Sequence, residues 1–351
     1  MRKHDHPPLN IALLGYGFAG KTIHAPLILS VPGLQLTAVM SSHAEKVSRD
    51  LPDVTVRAAP DEVFSDPAVE LVVIATPNDT HFDLARRALS AGKHAVVDKP
   101  FTNTVAEAME LAALANASGR LLSVFHIRRW DADFLTLRQI VEREELGEIV
   151  HVESHYDRYR PTVLPRWREL PGPGTGIWFD LGSHLVDQVL QLFGLPEAVF
   201  ADLAMQRRNA AAVDYFHVLL RYGTKRVILH GSNLVAEPPR RFEVHGTNGS
   251  YVKRGMDTQE PALRRGERPG APGWGIDAQD GTLTTWTNDA PRESTVHTVP
   301  GDYQQYYAAI RDAIREGTRN PVTPQEGIAV VQVLELACKS SRERRELPFP
   351  K

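Results

Sequence analysis

The 351-residue chain has one cysteine, Cys338. No intrachain disulfide can form, and a reducing compartment is the simple expectation. No apolar run approaches the ~20 residues that a membrane-spanning helix needs. The first ten residues, Met1 to Asn10, carry charge and two prolines but lack the apolar stretch of a secretion signal. An excess of one charge is missing as well. Forty Lys and Arg stand against 43 Asp and Glu, a formal net charge of −3, with no long basic run. That balance argues against nucleic acid or an anionic membrane surface as a partner. There is no internal repeat and no low-complexity tract. These absences leave a cytoplasmic globular protein, long enough that two domains are the default.

What is present begins at Leu9. An apolar run ends in Gly15, Gly17 and Gly20, spaced G-x-G-x-x-G, and a helical pattern follows. Gly15 allows the tight turn out of the strand, Gly17 lets a pyrophosphate approach bare backbone, and Gly20 lets the helix pack on the sheet. The amides of Phe18, Ala19 and Gly20 open that helix, where the helix dipole favours phosphate. Such a motif also occurs in ordinary glycine-rich turns. Here it follows a near-N-terminal strand and opens an alternating series, which favours a dinucleotide site.

The series runs from strand Leu9–Leu14 through a helix to about Ser30, with a kink or early break expected at Pro26. Strands follow at 34–40, 54–57 and 71–75, then a helix at 80–91 closed by Gly92. A strand at 94–97, a helix at 104–116 and a strand at 121–125 complete it. The pattern predicts a doubly wound parallel sheet, with ligand beyond the carboxyl ends of its strands. The loops at Gly15, Met40, Thr76, Asp98 and Phe125 should therefore line one crevice. Past Phe125 a helix (133–145) and a strand (149–156) lead to the loop Pro171–Gly176 and a helix with Leu185, Val186, Val189, Leu190 and Phe193 on one face. Strand-like runs then follow at 198–205, 215–222, 226–232, 241–245 and 282–287, which predict a largely antiparallel sheet. Residues 255–281 read as a long surface loop, and 303–316 and 325–341 as closing helices.

Three places carry candidate chemistry. Lys99 follows the fifth strand in Asp98-Lys99-Pro100, where a surface lysine and a proton-shuttling ammonium are both open readings. Asp180 and His184 lie four residues apart at a helix start. They suit a carboxylate orienting a general-base imidazole, two metal ligands, or a helix cap beside a satisfied histidine. Metal is disfavoured, because no third ligand has suitable spacing and Cys338 is remote. His151 and His155 also lie four apart, but along a strand that is ~13 Å, too far for one ion. No metal is expected. After the second strand the chain reads Met40-Ser41-Ser42-His43, with Lys46 behind. An NAD enzyme usually carries a carboxylate there for the ribose 2′-hydroxyl. Ser41, Ser42, His43 and Lys46 can instead contact a 2′-phosphate, so NADP(H) is expected.

Taken together, these motifs resemble the Gfo/Idh/MocA oxidoreductase family, and most closely its NADP-dependent scyllo-inositol 2-dehydrogenase branch. The resemblance is carried by Gly15-Tyr16-Gly17, His24-Ala25-Pro26, Thr76-Pro77-Asn78-Asp79-Thr80-His81, Asp98-Lys99-Pro100-Phe101, Arg128-Arg129-Trp130-Asp131, Arg166-Trp167-Arg168-Glu169, Asp180-Leu181-Gly182-Ser183-His184 and Asp214-Tyr215-Phe216-His217. It implies an NADP-binding Rossmann domain over 1–125. An α/β domain over 126–351 would bind substrate and, through a large open sheet, pack subunits into homodimers or homotetramers. It also implies Lys99, Asp180 and His184 as the catalytic group. Thr76, Pro77, Asn78, His81, Asp98, Lys99 and Pro100 would lie against the cofactor, and Lys99, Arg129, His155, Trp167, Asp180 and His184 against a polyol or sugar. The expected reaction is hydride transfer between the nicotinamide and a secondary alcohol of an inositol-like substrate. Another sugar reaction on this fold, including NAD-dependent glycoside cleavage, and a non-catalytic NADP(H)-sensing regulator are the alternatives. Two departures stand out. The family's Glu-Lys-Pro is Asp98-Lys99-Pro100 here, and Ile127 replaces the Asn usual in the close branch.

Overall fold

The structure is a computed structural model and describes residues 6–238, 240–287 and 290–350. The first five residues of the Met1–Asn10 stretch lie outside them. Contacts group the chain into two compact units. The first holds residues 1–127, 259–274 and 302–328, and the second 128–258, 275–301 and 329–351. The division near residue 125 is therefore one along the chain. In space, two later stretches return to the first unit.

In the first unit, β1 (Leu9–Leu14), β2 (Leu34–Met40), β3 (Thr55–Arg57), β4 (Leu71–Ile74), β5 (His94–Val97) and β6 (Leu122–Val124) form a parallel sheet in the order β3-β2-β1-β4-β5-β6. All four residues of β4 are buried, as a parallel strand covered on both faces requires. The order reverses between β1 and β4, which makes the carboxyl ends of these two strands the switch point. Thr104 caps the helix Val105–Ser118: its Oγ1 accepts from the Glu107 amide at 3.2 Å, and Glu107 Oε2 accepts from the Thr104 amide at 3.1 Å. Pro26 falls where the expected break lies. The chain makes a wide π-helical turn over Ala19–His24, then an α-helix over Ala25–Ser30, with Pro26 in its first turn, where no amide donor is needed.

In the second unit, β7 (Ile149–His155), β8 (Ala198–Ala204), β9 (Tyr215–Tyr222), β10 (Lys225–Ser232), β11 (Arg240–Gly246), β12 (Gly249–Arg254), β13 (Gly281–Thr287), β14 (Ala290–Val296) and β15 (Leu347–Pro348) form one sheet, ordered β14-β13-β12-β11-β7-β10-β9-β8-β15. Among the described residues of this sheet, only β7 and β10 pair in parallel; the other pairings are antiparallel. One face carries the core. Val152, Phe216, Val218, Val227, Leu229 and Val244 pack with Leu185, Val186 and Val189 of the helix Ser183–Phe193. The opposite face alternates with it at intermediate exposure and carries His151, Glu153, His155, His217 and His230 beside the apolar pair Leu219 and Ile228.

Two expectations change. The span 255–281 is not all loop: it contains a helix, Gln259–Arg264, and residues 259–274 belong to the first unit. There Gln259 Oε1 accepts from Trp274 Nε1 at 3.0 Å and from the Tyr303 amide at 2.8 Å. The sheet also has three strands that the sequence pattern did not reveal: β12, β14 and the two-residue β15. No helix among the described residues is long and apolar enough to cross a membrane.

Candidate active site

At the switch point, Gly15 has φ +95°, and a Cβ there would lie 2.7 Å from the Ala75 carbonyl oxygen. Its amide donates to Met40 O at 3.0 Å and the Ala75 amide to Leu14 O at 2.8 Å, so the three strand ends are laced together. A Cβ on Gly20 would lie 2.0 Å from Gly15 O, within the backbone of the turn itself. Gly17 differs, since a Cβ there would meet nothing within 4 Å. The loop is thus packed at its first and third glycines and open at the second, which is the cradle a pyrophosphate needs. These residues fit a dinucleotide.

The loop after β2 lies against that cradle. Lys46 Nζ donates to Tyr16 O at 3.4 Å and stands 5.8 Å from the centre of the Tyr16 ring. Lys21 pairs with Asp50 at 2.5 Å, which holds the Asp50 carboxyl below its ordinary pKa. Burial, then the nearby Asp50 carboxylate, pushes the Tyr16 phenol up to about 12. Ser41 Oγ accepts from the His43 amide at 3.1 Å, while Ser42 and His43 are exposed.

After β4, Thr76 Oγ1 and Thr80 Oγ1 share a 2.6 Å hydrogen bond, and Thr80 Oγ1 donates to Pro77 O at 2.7 Å. Asn78 and His81 are buried. His81 puts one ring nitrogen 3.0 Å from Thr76 O and the other 2.9 Å from Pro100 O, so one imidazole ties the β4 loop to the β5 loop. Burial holds its pKa below the ordinary histidine value. A neutral ring has one N–H and donates to one of the two carbonyls. Past β5, the Lys99 amide donates to Asp98 Oδ1 at 2.8 Å, and the Lys99–Pro100 peptide is cis. Lys99 itself is partly exposed.

Beneath Asp98 lies a pair to which sequence reasoning assigned no role. His24 is fully buried, with Nδ1 2.6 Å from the Tyr307 hydroxyl and Nε2 3.9 Å from Asp98 Oδ2. Burial raises the Tyr307 phenol well above its usual pKa, so it stays protonated in its hydrogen bond with His24 Nδ1. The other ring nitrogen, Nε2, faces Asp98. Burial works against charge on Asp98, but His24, then Lys99 and His81, outweigh it and hold its pKa below the ordinary carboxylate value. His24 was visible as part of His24-Ala25-Pro26. Tyr307, 283 residues away, carried no signal.

In the second unit, Asp180 lies in a π-helical turn, Trp178–Gly182, and His184 in the first turn of the α-helix that follows. π-turns inside helices are frequent at functional sites. Gly182 is needed there because a Cβ would lie 2.2 Å from Cε3 of Trp178. Trp178 is fully buried, its Nε1 donating to Leu334 O at 3.1 Å. Asp180 faces Arg168 Nε at 3.3 Å and Arg158 Nη2 at 3.7 Å. Arg168 stacks on Trp167, 4.4 Å from the ring centre. A small cleft opens at this point, lined in part by Arg158, Arg166, Arg168, Asp180 and Asn233. Trp167 is thus brought to Asp180 through Arg168. His184 is buried.

Arg129 and His155 are placed differently from expectation. The Arg129 guanidinium is buried and engages Asp187 of the His184 helix through both Nε, at 2.9 and 3.2 Å, and Nη2, at 2.7 Å. It anchors that helix. His155 is on the other face of the sheet from its neighbours Tyr156 and Arg158, because successive strand residues point to opposite faces. Its partners are Glu153 at 2.9 Å and Asp157 at 3.3 Å. Burial opposes charge on His155, but the two carboxylates outweigh it and raise its pKa.

Comparison with known proteins decides the family. One family model, described as an oxidoreductase family with an NAD-binding Rossmann fold, matches residues 9–126, and its C-terminal alpha/beta domain counterpart matches 138–349. The chain belongs to the Gfo/Idh/MocA oxidoreductase family. Within this family it is 52% identical over 339 residues to the uncharacterized oxidoreductase YdgJ of Escherichia coli, covering 97% of this chain and 98% of that one. It is 42% identical over 341 residues to the scyllo-inositol 2-dehydrogenase (NADP(+)) IolW of Bacillus subtilis, covering 97% and 95%. A solved structure of the Bacillus subtilis protein yvaA superposes with a TM-score of 0.96 at 42% identity, covering 98% of this chain and 99% of that one. The first unit's Rossmann sheet is the family's nucleotide-binding fold, and the protein is an oxidoreductase.

Proposed function

We propose that the protein is an NADP-dependent dehydrogenase acting on a secondary alcohol of a cyclic polyol, inositol-like by preference. The observation that carries this reading is the similarity, over 97% of the chain, to a relative named as an NADP-dependent scyllo-inositol 2-dehydrogenase. The carboxylate-free sequence Ser41-Ser42-His43 after β2 supports NADP, because nothing there repels a 2′-phosphate.

The glycine loop (Gly15, Gly17 and Gly20) would hold the NADP pyrophosphate, and the nicotinamide would supply the hydride acceptor for the substrate carbinol carbon. The chain's residues handle the proton. His184, whose imidazole can both take and return a proton, takes the hydroxyl proton. Asp180, on the turn before it, orients the imidazole. Lys99, on the first unit, is the second candidate for proton transfer, and Asp98 fixes the Lys99 backbone through its amide hydrogen bond. Trp167 offers an aromatic face to the ring carbons of the sugar.

The test is purified protein with NADP and a panel of inositols and aldoses, read at the NADPH absorbance. Turnover with at least one inositol, faster than with any aldose, is expected. No turnover on any inositol overturns the substrate class.

A further inference from the structure

On the face of the nine-stranded sheet opposite Tyr156 and Arg158, three potential ligands converge. β7 and β10 pair in parallel with His155 and His230 in register, their ring centres 5.3 Å apart. Asp157, two residues past His155, falls on the same face. His155, Asp157 and His230 each offer one ligand atom, all within 4.8 Å of one another. His155 Nδ1 is 3.3 Å from Asp157 Oδ2, and His230 Nε2 is 3.4 Å from Asp157 Oδ1. A tetrahedral zinc ion with bonds of 2.0–2.1 Å separates its ligand atoms by ~3.3–3.4 Å. The two edges match that spacing and are longer than charge-assisted hydrogen bonds, which run at ~2.7–2.9 Å.

We propose that His155 Nδ1, Asp157 and His230 Nε2 form a binding site for a zinc-class divalent ion, with the fourth position left for a ligand from outside this set. The surroundings are those of a metal site. Glu153 Oε2 accepts from His155 Nε2 at 2.9 Å. That bond places the ring proton on Nε2 and leaves the Nδ1 lone pair for the ion, as the carboxylate–histidine pairs behind zinc ligands do. The Ser232 amide donates to Asp157 Oδ1 at 3.0 Å and fixes the carboxylate. The side chains of His155, Asp157 and His230 are 16%, 8% and 18% exposed, enough for an ion and a water to reach them. Two imidazole nitrogens and one carboxylate oxygen select zinc, cobalt, nickel or copper over magnesium or calcium. Sequence spacing could not reveal this set, since His230 comes from a neighbouring strand.

The full chain, stripped with EDTA, is titrated with Co²⁺ and read by its visible absorption, then back-titrated with Zn²⁺. One equivalent per chain should saturate the spectrum, and Zn²⁺ should abolish it. His230→Ala and Asp157→Asn should each weaken binding at least ~100-fold. Glu153→Gln should weaken it ~10–100-fold, the range for a residue behind a ligand. His245→Ala, stacked on His151 outside the cluster, should bind as the parent does. A parent that shows no saturable spectrum overturns the proposal, and that titration decides whether or not a variant folds. A spectrum unchanged in His230→Ala and Asp157→Asn overturns it equally.

Discussion

Ser42 presents a short exposed hydroxyl where a dehydrogenase for NAD usually carries a carboxylate. Ser42→Asp should lower kcat/KM for NADP at least ~10-fold, because like charges brought together at a binding site cost more than the ~1.4 kcal/mol of one decade. The value for NAD should hold or rise, and initial rates with both cofactors on one inositol check this. An unchanged ratio would place the 2′-phosphate elsewhere. The same residue scale explains which site residues were legible. The glycines were readable, and so was the place of Lys99 after β5, because both follow from position after a strand end, and that position is written in the local sequence. Arg129 and His155 were not. Nothing near Arg129 in the sequence says that its guanidinium clamps Asp187, 58 residues on. Whether His155 faces the helices or the far side depends on strand phase, which a one-residue shift reverses.

Among the elements, the helix start carrying Asp180 shows how a spacing argument succeeds only in part. The four-residue interval to His184 assumed regular α-helix, but regular helix begins at Ser183, after a wide turn. That turn is held by the fit of Gly182 against Trp178. Gly182→Ala should cost ~1–3 kcal/mol, the usual penalty of overpacking. Gly172→Ala, whose Cβ would meet only Thr175 Cγ2 at 3.7 Å, should stay within ~0.5 kcal/mol of the parent. Denaturant midpoints measure both, and a Gly182→Ala chain as stable as Gly172→Ala would refute the packing account. Long apolar strands such as β1 and β4 were legible because burial on both faces leaves an unbroken apolar run. β14 was not, since six of its seven residues are exposed and its sequence shows no alternation. β12 hides a fully buried Lys253, paired with Asp277 at 2.7 Å, at a position where the pattern calls for an apolar side chain.

For the whole molecule, the alternation of strands and helices forecast a parallel sheet and then a mostly antiparallel one, and both are there. What the order of the chain concealed is the return of 259–274 and 302–328 to the first unit, which delivers Tyr307 to His24 beneath Asp98. Such long-range returns depend on tertiary packing and leave no periodic trace. The central claim is a division of labour. On the proposed function, the glycine loop and the Ser41–Lys46 segment of the first unit would bind NADP, and His184 of the second would carry proton transfer. The most direct test is one variant measured two ways, His184→Ala assayed for kcat on an inositol and titrated with NADPH by fluorescence. The account predicts a kcat lower by ~10²–10⁴, the usual worth of positioned acid–base catalysis, with an NADPH dissociation constant close to the parent's. A folded His184→Ala protein that turns over at the parent rate, or one that loses NADPH along with its activity, would contradict it.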